Sequence, residues 1–184
     1  TPFPCSKPSL KGAGPSDELP APGYDDMGST YAETRADGMK FLLTNDDGID
    51  APGIAALAAA VEGLGERRVF APMSVQSGCS HRLTTETPIR LDRRAEKHVA
   101  VDGTPGDCVR LALHEPEPVD WILSGINEGG NLGVDVFYSG TVAAVREAAF
   151  LGKPGIALSH YIKRTLPVDW PRVSRWCRQV QRLQ

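Results

Sequence analysis

Short apolar runs alternate with longer segments rich in alanine, leucine or charged residues, and this alternation begins at Met39. The apolar runs are typical of buried parallel strands, and they cover residues 39–44, 68–71, 119–123 and 155–158. The segments between them predict helices, over residues 54–64, about 105–113, 139–150 and 169–183. Two further short strands, 89–91 and 98–101, could form a hairpin. Strands that alternate with helices indicate an α/β fold with a doubly wound, mostly parallel sheet.

The helix boundaries are predicted from capping residues. Gly65 is expected to end the first helix, because glycine is favoured just past a helix end. Thr104 is a candidate N-cap for the helix at about 105–113, with Pro105 at its first position and Asp107 at its third. The first strand, the helix and the strand at 68–71 then form a βαβ unit, whose crossover should be right-handed.

Residues 1–38 differ in character from the rest of the chain. They hold six of the fifteen prolines, and glycine, serine and acidic residues fill the gaps. A segment of this composition buries too little apolar surface to offset the entropy of ordering it. We therefore predict two parts: a disordered tail over residues 1–38 and one α/β domain over residues 39–184.

Asp46 and Asp47 directly follow the first predicted strand. Ligands of open α/β sheets bind at the carboxyl ends of the strands, so this pair is expected at the ligand edge. Two adjacent carboxylates repel unless a positive charge lies near them. A divalent cation with oxygen ligands, such as Mg²⁺, Mn²⁺ or Ca²⁺, is one solution. The alternative is that either aspartate only caps the turn.

Two other segments are expected to reach the same edge. The glycine-rich segment 124–133 follows a second apolar strand and carries Asn127 and Asn131, whose amide oxygens can bind a metal or a hydroxyl. A plain glycine-rich turn is the alternative there. Ser139, Gly140 and Thr141 open the helix that follows, and a helix start of this kind can bind phosphate. Ordinary N-capping is the alternative use of these residues.

Composition narrows the classes of function. Residues 1–38 carry three basic and six acidic side chains, so 17 basic and 17 acidic side chains remain in the rest of the chain. This balance argues against a nucleic-acid duplex as partner, which needs a basic face. We find no apolar run long enough for a membrane span and no secretory signal. The four cysteines show no zinc-binding spacing, so we expect reduced thiols in a cytoplasmic protein.

Five motifs occur in an order that closely resembles the SurE family, whose members are stationary-phase survival proteins with 5'/3'-nucleotidase activity. The motifs are NDDGIDAPGI (45–54), SG (77–78), GTPGDCV (103–109), SGINEGGNLG (124–133) and YSGTVAAVREA (138–148). They span residues 39–158, which is nearly all of the predicted domain. The resemblance implies a Rossmann-like fold and a metal-dependent phosphomonoesterase that hydrolyses nucleoside 5'- or 3'-monophosphates.

The resemblance also implies roles for individual residues. One divalent metal ion, Mg²⁺ or Mn²⁺, is expected on Asp46, Asp47, Ser77 and Asn127, and Asp46 and Asp47 are also expected to be catalytic. The residues expected to bind the phosphate or the ribose are Asn45, Gly78, Asn131, Ser139, Gly140 and Thr141. A phosphatase of the haloacid-dehalogenase type is disfavoured, because that chemistry needs two aspartates separated by one residue.

The length of the sequence is the main departure from the family pattern. Family members usually continue past the point where this sequence ends at Gln184, so the resemblance predicts a C-terminally truncated domain. A homo-oligomer, dimer or tetramer, is expected for the family, but truncation would disfavour it. The alternative to an active nucleotidase is a non-catalytic fragment of the same fold that binds metal and nucleotide.

Overall fold

A computed structural model describes residues 38–162 and 166–181. Six strands and five helices follow one another along the chain. The strands are β1 (Met39–Thr44), β2 (Gly65–Pro72), β3 (Leu91–Ala95), β4 (His98–Val101), β5 (Trp121–Glu128) and β6 (Gly155–His160). The helices are α1 (Pro52–Ala60), α2 (Pro105–His114), α3 (Asp135–Tyr138), α4 (Gly140–Phe150) and α5 (Trp170–Gln181).

The strands form one six-stranded sheet in the order β3-β4-β2-β1-β5-β6. Every neighbouring pair is parallel except β3 and β4, which form an antiparallel hairpin at one edge. β1 lies in the middle, and the chain proceeds from it in one direction through β2 and later in the other direction through β5. The strand order therefore reverses between β1 and β5, and this switch point is where doubly wound sheets bind ligands.

Helices cover both faces of the sheet. Alternate residues of β1 point to opposite faces, as in any strand: Phe41 and Leu43 belong to the core that includes residues of α1 and α5, whereas Leu42 belongs to the core shared with α2 and α4. The two layers bury β1 on both sides, which explains why its sequence is a continuous apolar run. The predicted α/β, Rossmann-like class is confirmed.

Gly65 does not end the first helix, and that prediction is wrong. Helix α1 ends at Ala60, a turn follows with Gly63 at a φ of +74°, and Gly65 is already the first residue of β2. A Cβ on Gly65 would lie 2.0 Å from the carbonyl oxygen of Met39. Gly65 is therefore needed for the close approach of β1 and β2.

Other boundaries also differ from the predicted ones. β5 continues to Glu128, so the first five residues of the predicted glycine-rich loop belong to a strand. The hairpin is confirmed, but its first strand lies at Leu91–Ala95 instead of residues 89–91. Helix α2 begins as predicted at Pro105, with Thr104 and Asp107 forming a capping box. The short helix α3 was not predicted.

The predicted disordered tail lies outside the described residues, apart from Gly38. Cys79, Cys108 and Cys177 are free thiols, as expected, whereas Cys5 lies outside the described residues. Among the helices of the described ranges, none has the length and apolar character needed to span a membrane.

Candidate metal and phosphate site

Asp46 and Asp47 lie at the carboxyl end of β1, next to the switch point of the sheet. The buried strand delivers both side chains to the same edge as the end of β5, as the sequence predicted. The two carboxylates have different surroundings. Asp46 is buried beneath the start of α4, whereas Asp47 is only half-buried beside the end of β5.

Asp46 is held by Thr141, the second residue of α4. The Thr141 hydroxyl donates a hydrogen bond of 2.5 Å to Asp46 Oδ1, and the exposed fractions of the two residues are 0% and 4%. Burial raises the pKa of the Asp46 carboxyl, and the neighbouring charge of Asp47 raises it further, although the bond from Thr141 opposes both effects. The site therefore holds a carboxylate whose charge needs compensation.

The start of α4 touches Asp46 directly, and this contact requires glycine at position 140. A Cβ on Gly140 would lie 2.8 Å from Asp46 Cβ and 2.9 Å from Cys79 Sγ. Ser139 caps the helix, since its side chain accepts a hydrogen bond from the N–H of Val142. In this arrangement the hydroxyls of Ser139 and Thr141 are both engaged inside the protein, and the helix start favours the negative charge of Asp46.

Asp47 is held by β5 instead of α4. The backbone N–H of Glu128 donates to Asp47 Oδ2 at 3.1 Å, so the end of β5 fixes this carboxylate. Asp47 also lines a cleft of about 410 Å³ with residues 48–52, 73–75 and Glu128. Of the two carboxylates, Asp47 is thus the one that lines an open space.

Asn45 shapes the turn that carries the two aspartates. Its side-chain Nδ2 donates 2.8 Å to the carbonyl oxygen of Gly48, whose φ of +102° favours glycine. Asn45 is fully buried, and its Oδ1 has no hydrogen-bond partner within the described residues. An unpaired buried acceptor of this kind marks a place where a donor from a ligand or water would be stabilising.

The loop between β2 and β3 brings Ser77 and Gly78 to the same region. The N–H of Gln76 donates 2.7 Å to the carbonyl oxygen of Asp46, which places the loop beside the first aspartate. Ser77 and Gly78 are exposed, and Gly78 has a φ of +68°. Their hydroxyl and N–H groups are therefore accessible from solvent next to Asp46.

Polar contacts farther along anchor this loop on two sides. The N–H and hydroxyl of Ser80 donate to the carbonyl oxygens of Tyr138 and Phe137, each at 3.0 Å. On the other side, the carboxylate of Asp107 accepts hydrogen bonds from the N–H and hydroxyl of Thr84, at 2.9 and 2.8 Å. The GTPGD segment thus fixes the site loop to α2, a role that sequence reasoning missed although it identified the helix cap.

A polar cluster centred on one buried carboxylate lies under the same loop. Glu147 of α4 is 1% exposed, and its carboxylate contacts His81 Nε2 at 2.8 Å and Arg110 Nε at 2.5 Å. The His81 ring also stacks on Phe150, with centroids 5.6 Å apart. Sequence spacing carried no signal for this cluster, because its members come from a loop and two helices.

The two predicted asparagines lie at and beyond the end of β5. Asn127 Nδ2 donates 2.8 Å to the carbonyl oxygen of Gly129, and Asn131 Nδ2 donates 2.7 Å to Ser159 Oγ on β6. In both cases one N–H of the amide is engaged within the protein. The amide oxygen is thus the atom by which Asn127 would bind a cation.

The chemistry of these donors fits a hard divalent cation. Within residues 38–162 and 166–181, no group of three His, Cys, Asp or Glu side chains could hold a metal. A cation here would have two carboxylates and neutral oxygens as ligands, the combination that Mg²⁺ and Mn²⁺ prefer over zinc. It would also compensate the charge of the buried Asp46.

The chain matches the family model described as survival protein SurE over residues 41–183. A protein of Synechocystis sp. is 53% identical over 144 residues, which make up 77% of this chain and 63% of that protein. The protein named 5'-nucleotidase SurE from Geotalea uraniireducens is 53% identical over 123 residues, covering 66% of this chain and 50% of that protein. The crystal structure of SurE from Aquifex aeolicus superposes with a TM-score of 0.73 at 40% identity, covering 78% of this chain and 59% of that one. The chain thus spans between half and two thirds of the length of these relatives.

Proposed function

Because the chain belongs to the SurE family, we propose that it hydrolyses nucleoside monophosphates to nucleosides and inorganic phosphate with the help of one divalent cation, Mg²⁺ or Mn²⁺. The family model spans most of the chain, and relatives that carry the name 5'-nucleotidase support a nucleotide substrate. Action on 3'-phosphates as well as 5'-phosphates is part of the proposal. A homo-oligomer, as expected for the family, is also part of it.

The observation that carries the proposal is the pair of carboxylates at the end of the central strand. Asp46 and Asp47 follow β1 at the switch point, and Ser77 and Asn127 lie on the two segments that flank them. These four residues would hold the cation. Bound there, it would supply positive charge to the phosphate oxygens and polarise a water molecule.

The two aspartates differ in what they can do besides binding the cation. Asp46 is 4% exposed and its Oδ1 accepts a hydrogen bond from Thr141, so burial and this bond hold its carboxylate in place. Asp47 lines the open cleft, and among the residues that the structure describes its single donor is the N–H of Glu128. We therefore assign proton transfer with water or the leaving oxygen to Asp47, and a purely ligating role to Asp46.

The phosphate would lie between the site loop and the end of β5. Gly78 offers an accessible N–H on one side of the phosphate. On the other side, Asn131 offers the second N–H of its amide, the first being bonded to Ser159. Asn45 would contribute through its unpaired Oδ1 by ordering a water or a hydroxyl. The hydroxyls of Ser139 and Thr141 are engaged in the helix cap and in the bond to Asp46, so at this helix start the backbone N–H groups, with Gly140 between them, would bind the phosphate.

Phosphate release from a panel of nucleoside 5'- and 3'-monophosphates tests the proposal. The assay compares the unaltered chain with Asp46→Asn and Asp47→Asn, with Mg²⁺, with Mn²⁺ and with EDTA. Asp92→Asn is the matched control, because Asp92 is an exposed residue of the edge strand β3. We expect turnover that requires the cation and is lost only in the first two variants. Metal and nucleotide binding without turnover would instead establish a non-catalytic fragment.

A further inference from the structure

The cleft beside Asp47 is continuous with the candidate site but is not lined by any residue of α4. Its walls come from the loop after β1, the start of the loop after β2, and the end of β5. Its volume of about 410 Å³ lies within the range of small-molecule sites in proteins. A group attached to a phosphate at Asp47 can therefore extend into this cleft.

Three carboxylates line the cleft, and two of them are already assigned to the metal site or paired with an arginine. Asp47 belongs to the candidate metal site. Asp50 forms a 2.5 Å ion pair with Arg94 of β3. The Glu128 side chain is exposed, and its carboxylate has no hydrogen-bond or ion-pair partner within the described ranges. Glu128 thus presents a charged acceptor to whatever occupies the cleft.

The position of Glu128 relative to Asp47 is fixed by the backbone. Its N–H donates to Asp47 Oδ2 at 3.1 Å, so its side chain begins next to the predicted cation ligand. In a nucleotide the ribose hydroxyls lie a few bonds from the phosphate. A carboxylate accepts hydrogen bonds from both hydroxyls of a cis-diol, and such charge-assisted bonds are stronger than neutral ones.

From this placement we propose that Glu128 binds the ribose hydroxyls of the substrate and makes the enzyme prefer ribonucleotides to 2'-deoxyribonucleotides. The inference rests on the proposed function and adds the sugar to it. The apolar part of the cleft suits the nucleobase, because Val75 is 63% exposed there and Met73 lies beside it. Both parts of the nucleoside thus have a complementary surface next to Asp47.

The test compares kcat/KM for adenosine 5'-monophosphate, its 2'-deoxy analogue and phenyl phosphate, which has no ribose. Glu128→Ala is compared with the control Glu96→Ala, since Glu96 lines a separate cavity together with Lys40 and Glu66, which lie near the starts of β1 and β2. We expect the ratio of the ribonucleotide to phenyl phosphate to fall roughly tenfold in Glu128→Ala only. The ribonucleotide to deoxyribonucleotide ratio should fall toward one in the same variant.

The outcomes separate this inference from the proposed function. Equal ratios in Glu128→Ala and in the unaltered chain, with both substrates hydrolysed, would overturn the role of Glu128 and leave the phosphatase activity standing. If no substrate is hydrolysed, the role of Glu128 is tested by measuring the equilibrium binding of adenosine 5'-monophosphate to the same variants in the presence of Mn²⁺. Binding roughly tenfold weaker in Glu128→Ala than in Glu96→Ala supports the ribose contact, and equal binding overturns it.

Discussion

Replacing Thr141 by valine removes the hydroxyl that holds Asp46 while keeping the shape of the side chain. Thr141 is fully buried and donates 2.5 Å to a carboxylate that is itself 4% exposed. The variant thus leaves a buried carboxylate short of one donor and changes little else. Thr141→Ser is the matched control, because serine keeps the hydroxyl and loses only a methyl group.

The size of the effect depends on whether Asp46 is charged. A hydrogen bond to a charged group contributes about 1.5–3 kcal/mol, and one between neutral groups about 0.5–1.5 kcal/mol. The folded-state pKa of Asp46 is raised, so its contribution to stability is present below about pH 4 and is lost as the pH rises through the folded-state value. Thr141→Val raises that pKa further, so that more of this stability is lost as the pH rises. Thr141→Val should therefore lower the free energy of unfolding more at neutral pH than in acid.

Urea unfolding in EDTA at about pH 4.5 and about pH 7.5 measures this difference, the lower value being just above the ordinary pKa of aspartate. We expect Thr141→Val to lose about 1 kcal/mol more stability at the higher pH, whereas the loss in Thr141→Ser should not depend on pH. The affinity for Mn²⁺ should also fall about tenfold in Thr141→Val, because losing a hydrogen bond to a metal ligand typically weakens metal binding by this much. A loss in Thr141→Val that is equal at both pH values would refute the reasoning.

Three further predictions follow from the same contacts. Gly140→Ala should destabilise the fold by about 1–3 kcal/mol and weaken Mn²⁺ binding, because the new Cβ would overlap Asp46. Calorimetric titration checks this against Gly130→Ala, whose Cβ would meet the exposed side chains of Tyr161 and Leu132. Asp46→Asn should raise the melting temperature of the metal-free protein at neutral pH and abolish the rise on adding Mn²⁺, because it removes a buried charge; a lower melting temperature in EDTA would contradict this. Glu147→Gln should cost about 1–3 kcal/mol in urea unfolding at neutral pH, since it leaves Arg110 without its anion and replaces the carboxylate that contacts His81.

Much of the scaffold was accessible from the sequence because local patterns determine it. The continuous apolar run at β1 reflects burial on both faces, and the polar residues after it necessarily emerge at the ligand edge. Thr104 and Asp107 form the capping box of α2, and because they are only three residues apart the sequence predicts this contact. The adjacent aspartates are predictable at the ligand edge for the same reason, whereas the switch point follows only from the strand order.

The parts that sequence reasoning missed depend on contacts between distant segments. Gly65 resembled a helix stop, but its small size serves the approach of β1 to β2, 26 residues apart in register. The bond from the Thr141 hydroxyl to Asp46 joins residues 95 positions apart, so the sequence gives no sign of it. The cluster of Glu147, His81 and Arg110 likewise has no local pattern.

Titration of the metal-free protein with Mn²⁺, with the free ion followed by electron paramagnetic resonance, tests most directly whether Asp46 and Asp47 hold one cation. We expect one ion per chain. Asp46→Asn and Asp47→Asn should each weaken binding by more than the roughly 10–100-fold that is typical of residues that only contact metal ligands, whereas Asp92→Asn should have no effect. No bound ion in the unaltered chain, or unchanged affinity in either variant of the pair, would show that the two aspartates do not hold a cation.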